Sequence, residues 1–148
     1  GLDAKIVRIF NTYGPRMRVR DGRAIPNFIS QALCGNEVTV YGNGDQTRSF
    51  CYISDLVDGV IALAESDVNH PVNIGNPTEM TVLQLAENII AATKSSSRIV
   101  HKELPVDDPK IRQPDITRAQ TLLNWEPAVS IEKGLSSTIE YFQKKISA

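Results

Sequence analysis

The chain has 148 residues, 41% hydrophobic and 22% charged, with 16 Lys and Arg against 17 Asp and Glu for a formal net charge of -1. That is one domain's length with enough apolar material for a core, and the balanced charge excludes a global field for nucleic acid or a membrane surface, so any anion site must be local. No run approaches the roughly 20 apolar residues that span a bilayer, and Cys34 and Cys51 sit in apolar runs without metal-ligand spacing, which points to reduced core or near-core thiols in a soluble, cytoplasmic protein without a metal.

Residues 2–5 lead at once into Ile6-Val7-Arg8-Ile9-Phe10, a β-branched, mostly apolar run that suits a central parallel strand covered on both faces. A chain that opens on such a strand is expected to be part of a longer one. The strand breaks at Gly14-Pro15 and passes into a loop carrying Arg16, Arg18, Arg20 and Arg23. A strand that runs into cationic residues sets them at the carboxyl edge of a sheet, where α/β proteins bind ligands. An anionic ligand is one reading of that loop; arginines kept for solubility are the other.

Ile25, Phe28, Ile29, Ala32 and Leu33, with Pro26 in the first turn and Gly35 as the stop, predict a helix over 25–35. Residues 37–41 and 47–53 read as strands joined through Gly42-Asn43-Gly44, a candidate hairpin. Ser54 is expected to cap a helix from Asp55 to about Ser66 with Leu56, Val57, Val60, Ile61, Leu63 and Ala64 as its stripe, weakened by Gly59. Residues 72–75 form a short strand. Thr81 and Gln84 make a capping box for a helix of about 13 residues that buries Val82, Leu85, Ala86, Ile89, Ile90 and Thr93. A turn at 94–97 and a strand at 98–101 follow, then a loop with Pro105, Pro109 and Pro114. Asp115 caps a short helix through Leu123, Trp125-Glu126-Pro127 stops it, and Ser130 caps a last helix with Ile131, Leu135, Ile139 and Phe142 on one face.

Several patterns resemble chemistry without requiring it. Tyr141 and Lys145 have the spacing of a tyrosine base with its supporting lysine, yet they fall at the end of an amphipathic helix. Gly42-Asn43-Gly44 lacks the third glycine of a dinucleotide fingerprint and precedes a strand. His70 and His101 have no neighbouring ligands at metal spacing, Trp125 reads as a hydrophobic anchor, and Asp107-Asp108 reads as a solvated pair in a proline-bounded loop. The arginines differ. Arg48 lies on an otherwise apolar strand and Arg112 just before Pro114-Asp115; two planar, permanently charged forks converging on one cavity would suit a pyrophosphate.

Four stretches carry a resemblance that covers nearly the whole chain: residues 8–15 (Arg-Ile-Phe-Asn-Thr-Tyr-Gly-Pro), 40–55 (Val-Tyr-Gly-Asn-Gly-x-Gln-Thr-Arg-Ser-Phe-x-Tyr-Ile-Ser-Asp), 73–77 (Asn-Ile-Gly-Asn-Pro) and 112–127 (Arg-x-Pro-Asp-Ile, then Trp-Glu-Pro). In this order they resemble the C-terminal part of the extended short-chain dehydrogenases that modify nucleotide sugars. Gly14-Pro15-Arg16-Met17 and Asp21-Gly22-Arg23 are most similar to the UDP-glucuronate decarboxylase (UDP-xylose synthase) branch, with the dTDP-glucose 4,6-dehydratases as nearest competitor. The resemblance implies an α/β chain, the last Rossmann strands plus a small substrate lobe, with NAD as a recycled cofactor that takes hydride from C4 of the hexuronic acid and returns it after CO₂ is lost. It implies that Asn11 hydrogen-bonds the sugar, that Thr12 and Arg23 face NAD, and that Asn27 and Phe28 contact the substrate through exposed amides. Thr39 and Tyr41 would line the uracil pocket, and Arg48 and Arg112 would clamp the diphosphate. In that family the catalytic tyrosine and lysine and the glycine-rich NAD loop lie upstream of the strand at Ile6. The 148 residues are therefore expected to be a substrate-binding portion, inactive alone, whose partners are the UDP-sugar, the N-terminal half of the same enzyme, and a second subunit of the parent dimer. The alternative of another class is a UDP-sugar-binding module without catalysis.

Overall fold

The computed structural model describes residues 3–104 and 111–147. Pro105, Pro109 and the Asp107-Asp108 pair lie outside them. Eight short strands and five helices follow in the order β1 (Val7–Ile9), β2 (Thr12–Tyr13), α1 (Ala24–Leu33), β3 (Val38–Tyr41), β4 (Thr47–Ser49), β5 (Cys51–Tyr52), α2 (Ile53–Ala64), β6 (Val72–Ile74), β7 (Glu79–Thr81), α3 (Val82–Thr93), β8 (Ile99–Lys102), α4 (Thr117–Leu123) and α5 (Ile131–Ile146). The architecture is α/β, with β1 parallel to β6, β2 parallel to β5, β3 parallel to β8, and β4 antiparallel to β7.

Two apolar cores result. The larger gathers α1, β3, α3 and α5 around Phe28, Ile29, Val38, Leu85, Ile89 and Phe142. The smaller gathers α2, β6 and α4 around Leu56, Leu63, Ile74, Ile116 and Trp125. The capping box at Thr81 forms in both directions, the Thr81 hydroxyl accepting from the Gln84 N–H (3.0 Å) and the Gln84 amide accepting from the Thr81 N–H (2.9 Å). Ser130 likewise accepts from the Lys133 N–H at 3.3 Å to open α5. Asp115 accepts from the N–H and hydroxyl of Thr117 at the start of α4, and these two bonds hold its carboxyl below the usual carboxylate range.

The candidate hairpin does not form. β3 is taken in parallel by β8, and the chain after Gly42 turns away so that the Gly44 carbonyl receives the Leu83 N–H at 3.1 Å. A Cβ on Gly44, at φ +80°, would lie 2.9 Å from both Leu83 and Val40. The expected strand over 47–53 splits at Phe50, its first half pairing with β7, which the capping box had masked in the sequence, and its second half with β2. Ser54 falls inside α2 instead of capping it, because β5 runs straight into the helix and Tyr52 takes the N-cap without a side-chain bond. Within α2 only Leu56 and Leu63 of the expected stripe are buried, while Val57 and Ile61 are 45% and 48% exposed. The strand expected to be covered on both faces is likewise open in the described chain, since Ile6 and Ile9 are 49% and 58% exposed and β1 has one partner. Cys51 is buried as expected, but Cys34, at the C-cap of α1, is exposed. Arg16, Lys94 and Asn124 take left-handed backbone conformations, the last two as helix stops.

Two glycines are close-approach sites. A Cβ on Gly59 would press within 3 Å of both Ile74 and Trp125, so the helix-weakening residue is what lets α2 lie against β6 and the tryptophan. A Cβ on Gly134 would collide with the Tyr13 hydroxyl and lie 2.8 Å from the Tyr52 ring. Gly134→Ala is expected to destabilise the fold by about 1–3 kcal/mol through overpacking, read as a lower urea midpoint. The same change in a Tyr13→Phe background should recover part of that loss, because the hydroxyl is the nearest obstacle; an identical loss in both backgrounds would show that the hydroxyl is not the obstacle.

Candidate functional site

A cleft of about 390 Å³ opens where β1 and β2 end, floored by α1 and β3 and walled by β4. Asn11, Thr12, Arg23, Asn27, Phe28, Thr39, Tyr41 and Arg48 all line it. Of the residues singled out in the sequence, Arg112 does not. Its side chain is exposed, although its carbonyl receives the Ser49 hydroxyl at 3.2 Å, which fixes the Arg112 backbone beside the strand that carries Arg48.

The first turn of α1 faces this cleft through Ala24, Ile25, Pro26 and Asn27. Arg23 occupies the N-cap with no side-chain cap, so the N–H groups without helical partners belong to Ala24 and Ile25. The Asn27 amide, expected to be exposed, instead donates to the Arg23 carbonyl at 3.1 Å, because it already lies one full turn into the helix. An uncapped helix N-terminus is a ready anion site. Phe28 lines the cleft but is buried, anchoring this end of the helix in the larger core.

The far end of the cleft is built by side-chain amides. Gln31 grips Thr39 twice, its Nε2 donating to the Thr39 hydroxyl (3.2 Å) and its Oε1 accepting from the Thr39 N–H (3.1 Å). Gln46 Nε2 donates to the Tyr41 carbonyl at 3.0 Å, and Tyr41, 46% exposed, sits opposite Lys102 in the β3–β8 register. His101 stands next to it and donates from Nδ1 to the Gly42 carbonyl at 2.7 Å, a role in the turn. Gln31, Gln46 and Lys102 also line the cleft, and the sequence reading did not select them. Gln31 was recoverable, since it lies one helical turn from Asn27 on the same face; Lys102 was not, because its position follows from a parallel pairing that no local pattern announces.

Charge sorts this cleft from its neighbour. Arg48, whose Nη1 donates to the Thr47 carbonyl at 2.7 Å, and Lys102 give the first cleft a cationic lining. A second depression of about 460 Å³ on the other side of Phe50 carries Glu79, Glu126 and Glu132 and would repel an anion. Arg23 is paired with Asp21 through Nε and, at 2.8 Å, through Nη2; that contact holds the Asp21 carboxyl below its usual range and makes Arg23 a neutralised donor at the rim.

Toward a dinucleotide the chain offers Thr12 and Arg23. The Thr12 hydroxyl donates to the Phe10 carbonyl at 2.8 Å and keeps its oxygen lone pairs for an incoming donor. These two groups fit a polar edge of NAD. Among the described residues no glycine-rich strand-to-helix turn is present to cradle its pyrophosphate. Tyr13 lines the cleft from below but is 2% exposed, and burial pushes its phenol above the ordinary tyrosine value, so it keeps its proton at neutral pH and is not a base. Tyr141 packs beside Phe142 against the larger core, and Lys145 is exposed; neither lines the cleft.

The NAD dependent epimerase/dehydratase family matches residues 1–75 of this chain. UDP-glucuronic acid decarboxylase 1 of Xenopus tropicalis is 50% identical over 146 residues, and UDP-glucuronic acid decarboxylase 5 of Arabidopsis thaliana 49% identical over 146; each match covers 99% of this chain, and 35% and 43% of those proteins. The chain thus spans less than half the length of the curated relatives it matches. Among solved structures, the UDP-glucose 4-epimerase of Thermotoga maritima with UDP-glucose superposes with a TM-score of 0.90 at 33% identity, covering 95% of this chain and 46% of that one. The UDP-glucuronic acid 4-epimerase of Bacillus cereus, solved with UDP-glucuronic acid and NAD, superposes at 0.89 and 30% identity, covering 97% and 46%. Among the described residues no helix is long and apolar enough to cross a membrane.

The buried Cys51 thiol and the cleft tyrosine set an alkaline limit. Burial, reinforced by nearby Asp55, pushes the Cys51 thiol up to about 12. The folded state therefore keeps a proton that the unfolded state releases near the ordinary value of 9.0, so this stabilisation is complete below pH 9 and is lost as pH rises toward about 12. Tyr13 adds the same sign of loss above 10.0, its ordinary value. Urea midpoints measured across this range should fall from pH 9 upward, and Cys51→Ala should remove the part of the fall between 9 and 10. At pH 8 a thiol reagent should label Cys34 at once and Cys51 only on unfolding; rapid labelling of both would contradict the burial of Cys51.

Proposed function

The chain belongs to the NAD dependent epimerase/dehydratase family, and from that premise we propose that it forms the nucleotide-sugar wall of the catalytic cleft of a UDP-glucuronate decarboxylase. The observation that carries this is the single cleft in which Asn11, Thr12, Arg23, Asn27, Phe28, Thr39, Tyr41 and Arg48 meet, eight positions drawn from separate stretches of sequence. The identity of about half to named decarboxylases, against about a third to the 4-epimerases, supports decarboxylation over epimerisation.

In this reading the base lies at the far end, between Tyr41 and the Gln31-held Thr39. The diphosphate runs along the uncapped start of α1 toward Arg48, with Arg112 closing on it from the rim. The sugar reaches Asn11 at the end of β1, the edge at which α/β sheets present ligands. When bound, NAD supplies reversible hydride transfer at the sugar; the residues of this chain that would touch it are Thr12 and Arg23. The groups here bind and orient. Arg48 and Arg112 remain cationic at neutral pH and stabilise anionic oxygens without moving protons. Proton transfer, and the cradle for the rest of NAD, belong to the N-terminal half that completes the protein, so the 148 residues alone bind without turning over. The whole enzyme is assigned to the cytoplasm, as a homodimer.

Arg48→Ala in the complete enzyme should weaken UDP-glucuronate binding by about 1.5–3 kcal/mol, the scale of a hydrogen bond to a charged group, and Arg112→Ala should do the same. Calorimetric titration of each variant gives the answer, and unchanged affinity in both removes the diphosphate clamp. Titrating the 148-residue chain with UDP and with NAD separates the readings: UDP binding without turnover fits a substrate-binding portion, whereas turnover by this chain alone would falsify the assignment of proton transfer to the other half.

A further inference from the structure

The loop between Gly14 and Arg23 has its arginines sorted by side. Met17 and Val19 turn inward onto the larger core, Arg16, Arg18 and Arg20 are exposed, and the Ser30 hydroxyl of α1 donates to the Val19 carbonyl at 2.9 Å and holds the middle of the loop in place. Met17, between Arg16 and Arg18, and Gly22 and Arg23, which follow Arg20, line the cleft. Among the described residues no ion pair or hydrogen bond neutralises Arg16, Arg18 or Arg20, whereas Arg23 is paired with Asp21. Arg18 acts on Asp21 through space, and Asp21 pairs with Arg23 of the cleft lining. Residues 14–23 hold four arginines and one aspartate, a local excess of +3 on a chain whose net charge is -1.

From this arrangement, and resting on the nucleotide-sugar reading above, we infer that Arg16, Arg18 and Arg20 form an electrostatic ridge that steers polyanionic nucleoside-diphosphate sugars into the cleft without contacting them once bound. The ridge stands outside the lining, so it makes no bond in the complex. Its charges are carried by a loop that contributes Met17, Gly22 and Arg23 to the lining and is anchored at Met17, Val19 and Ser30. A cationic rim beside a cleft raises the rate of encounter with an anion, and the gain disappears as salt shortens the range of the field. A ligand with a sugar carboxylate in addition to its diphosphate feels the ridge more strongly than one without.

The test is stopped-flow binding of UDP-glucuronate and UDP-glucose to the complete protein, from about 0.01 M salt, where the Debye length is roughly 30 Å, to about 1 M, where it is roughly 3 Å. Replacing the three arginines by glutamine should slow association about fivefold at low salt, leave dissociation unchanged, and converge with the wild type at high salt, with the larger effect on UDP-glucuronate. Replacing them by lysine should preserve the wild-type rates, since steering needs charge and not a guanidinium fork; this variant also reports that the loop is intact. Equal rates and salt slopes in the glutamine variant, a change confined to dissociation, or a lysine variant as slow as the glutamine one would each overturn the ridge while leaving UDP-sugar binding in place. Failure of the wild type to bind UDP-glucuronate would overturn the decarboxylase reading itself.

Discussion

Among the described residues one carboxylate is buried, Asp55, and it joins the parts of this fold. It is 5% exposed in the first turn of α2, its Oδ2 accepts the Val129 N–H at 3.0 Å, and its backbone carbonyl accepts the Trp125 indole N–H at 3.0 Å. A buried carboxylate is costly unless its oxygens are satisfied, and here the satisfaction comes from the segment that ends α4 and leads into α5. That segment is thereby fixed against α2, which places Gly134 under Tyr13 and lets α5 close the larger core. The acidic residue also gains from lying at the helix N-terminus.

The cleft inherits its shape from that junction. β2 and β5 pair at the level of Tyr13 and Tyr52, and Phe50, just before β5, separates the cationic cleft from the acidic depression behind it. The segment after residue 110 is tied down by a series of side chains that reach main-chain carbonyls: Asn73 to Asp115 (2.9 Å), Gln113 to Pro77 (2.7 Å) and Arg118 to Pro71 (2.9 Å). The stretch 71–77 therefore works as a docking strip for the stretch 113–118. A further bond from the Ser49 hydroxyl to the Arg112 carbonyl sets the Arg112 backbone one residue from Arg48.

What was legible in the sequence was local. The capping box at Thr81, the Ser130 cap and the helix faces of α1, α3 and α5 rest on spacing within a few residues, and the structure reproduces them. What was not legible was pairing. Glu37 to Tyr41 and Thr47 to Ile53 have the alternation of a hairpin, but strand alternation does not name a partner, and β3 goes to a strand sixty residues downstream. Gly59 misled for a related reason: its helix cost is intrinsic, whereas its use, room for Trp125 and Ile74, is tertiary. The candidate site positions were named from motif order, which needs no topology, and eight of them line one cleft while Arg112 does not. The amides of Gln31 and Gln46, which position Thr39 and Tyr41, belong to no such reading.

The fold by itself does not choose a reaction, since 4-epimerases share it at TM-scores near 0.9. The described wall narrows the choice by what its groups can do at neutral pH. Tyr13 is buried and protonated, Cys51 is buried with its thiol held up, and the arginines stay charged, so none of them is poised to take a proton from a sugar. In the proposed reading the wall instead grips the nucleotide and diphosphate, parts of the ligand that do not react. Binding energy from such remote groups is what an enzyme can use to hold a sugar in a reactive orientation against groups on the opposite wall. On the proposed reading such a cleft keeps recognition on one wall and proton and hydride chemistry on the other, and a change of reaction among proteins of the same fold would then need new groups opposite Asn11 and Thr12 but no rebuilding of the proposed nucleotide site.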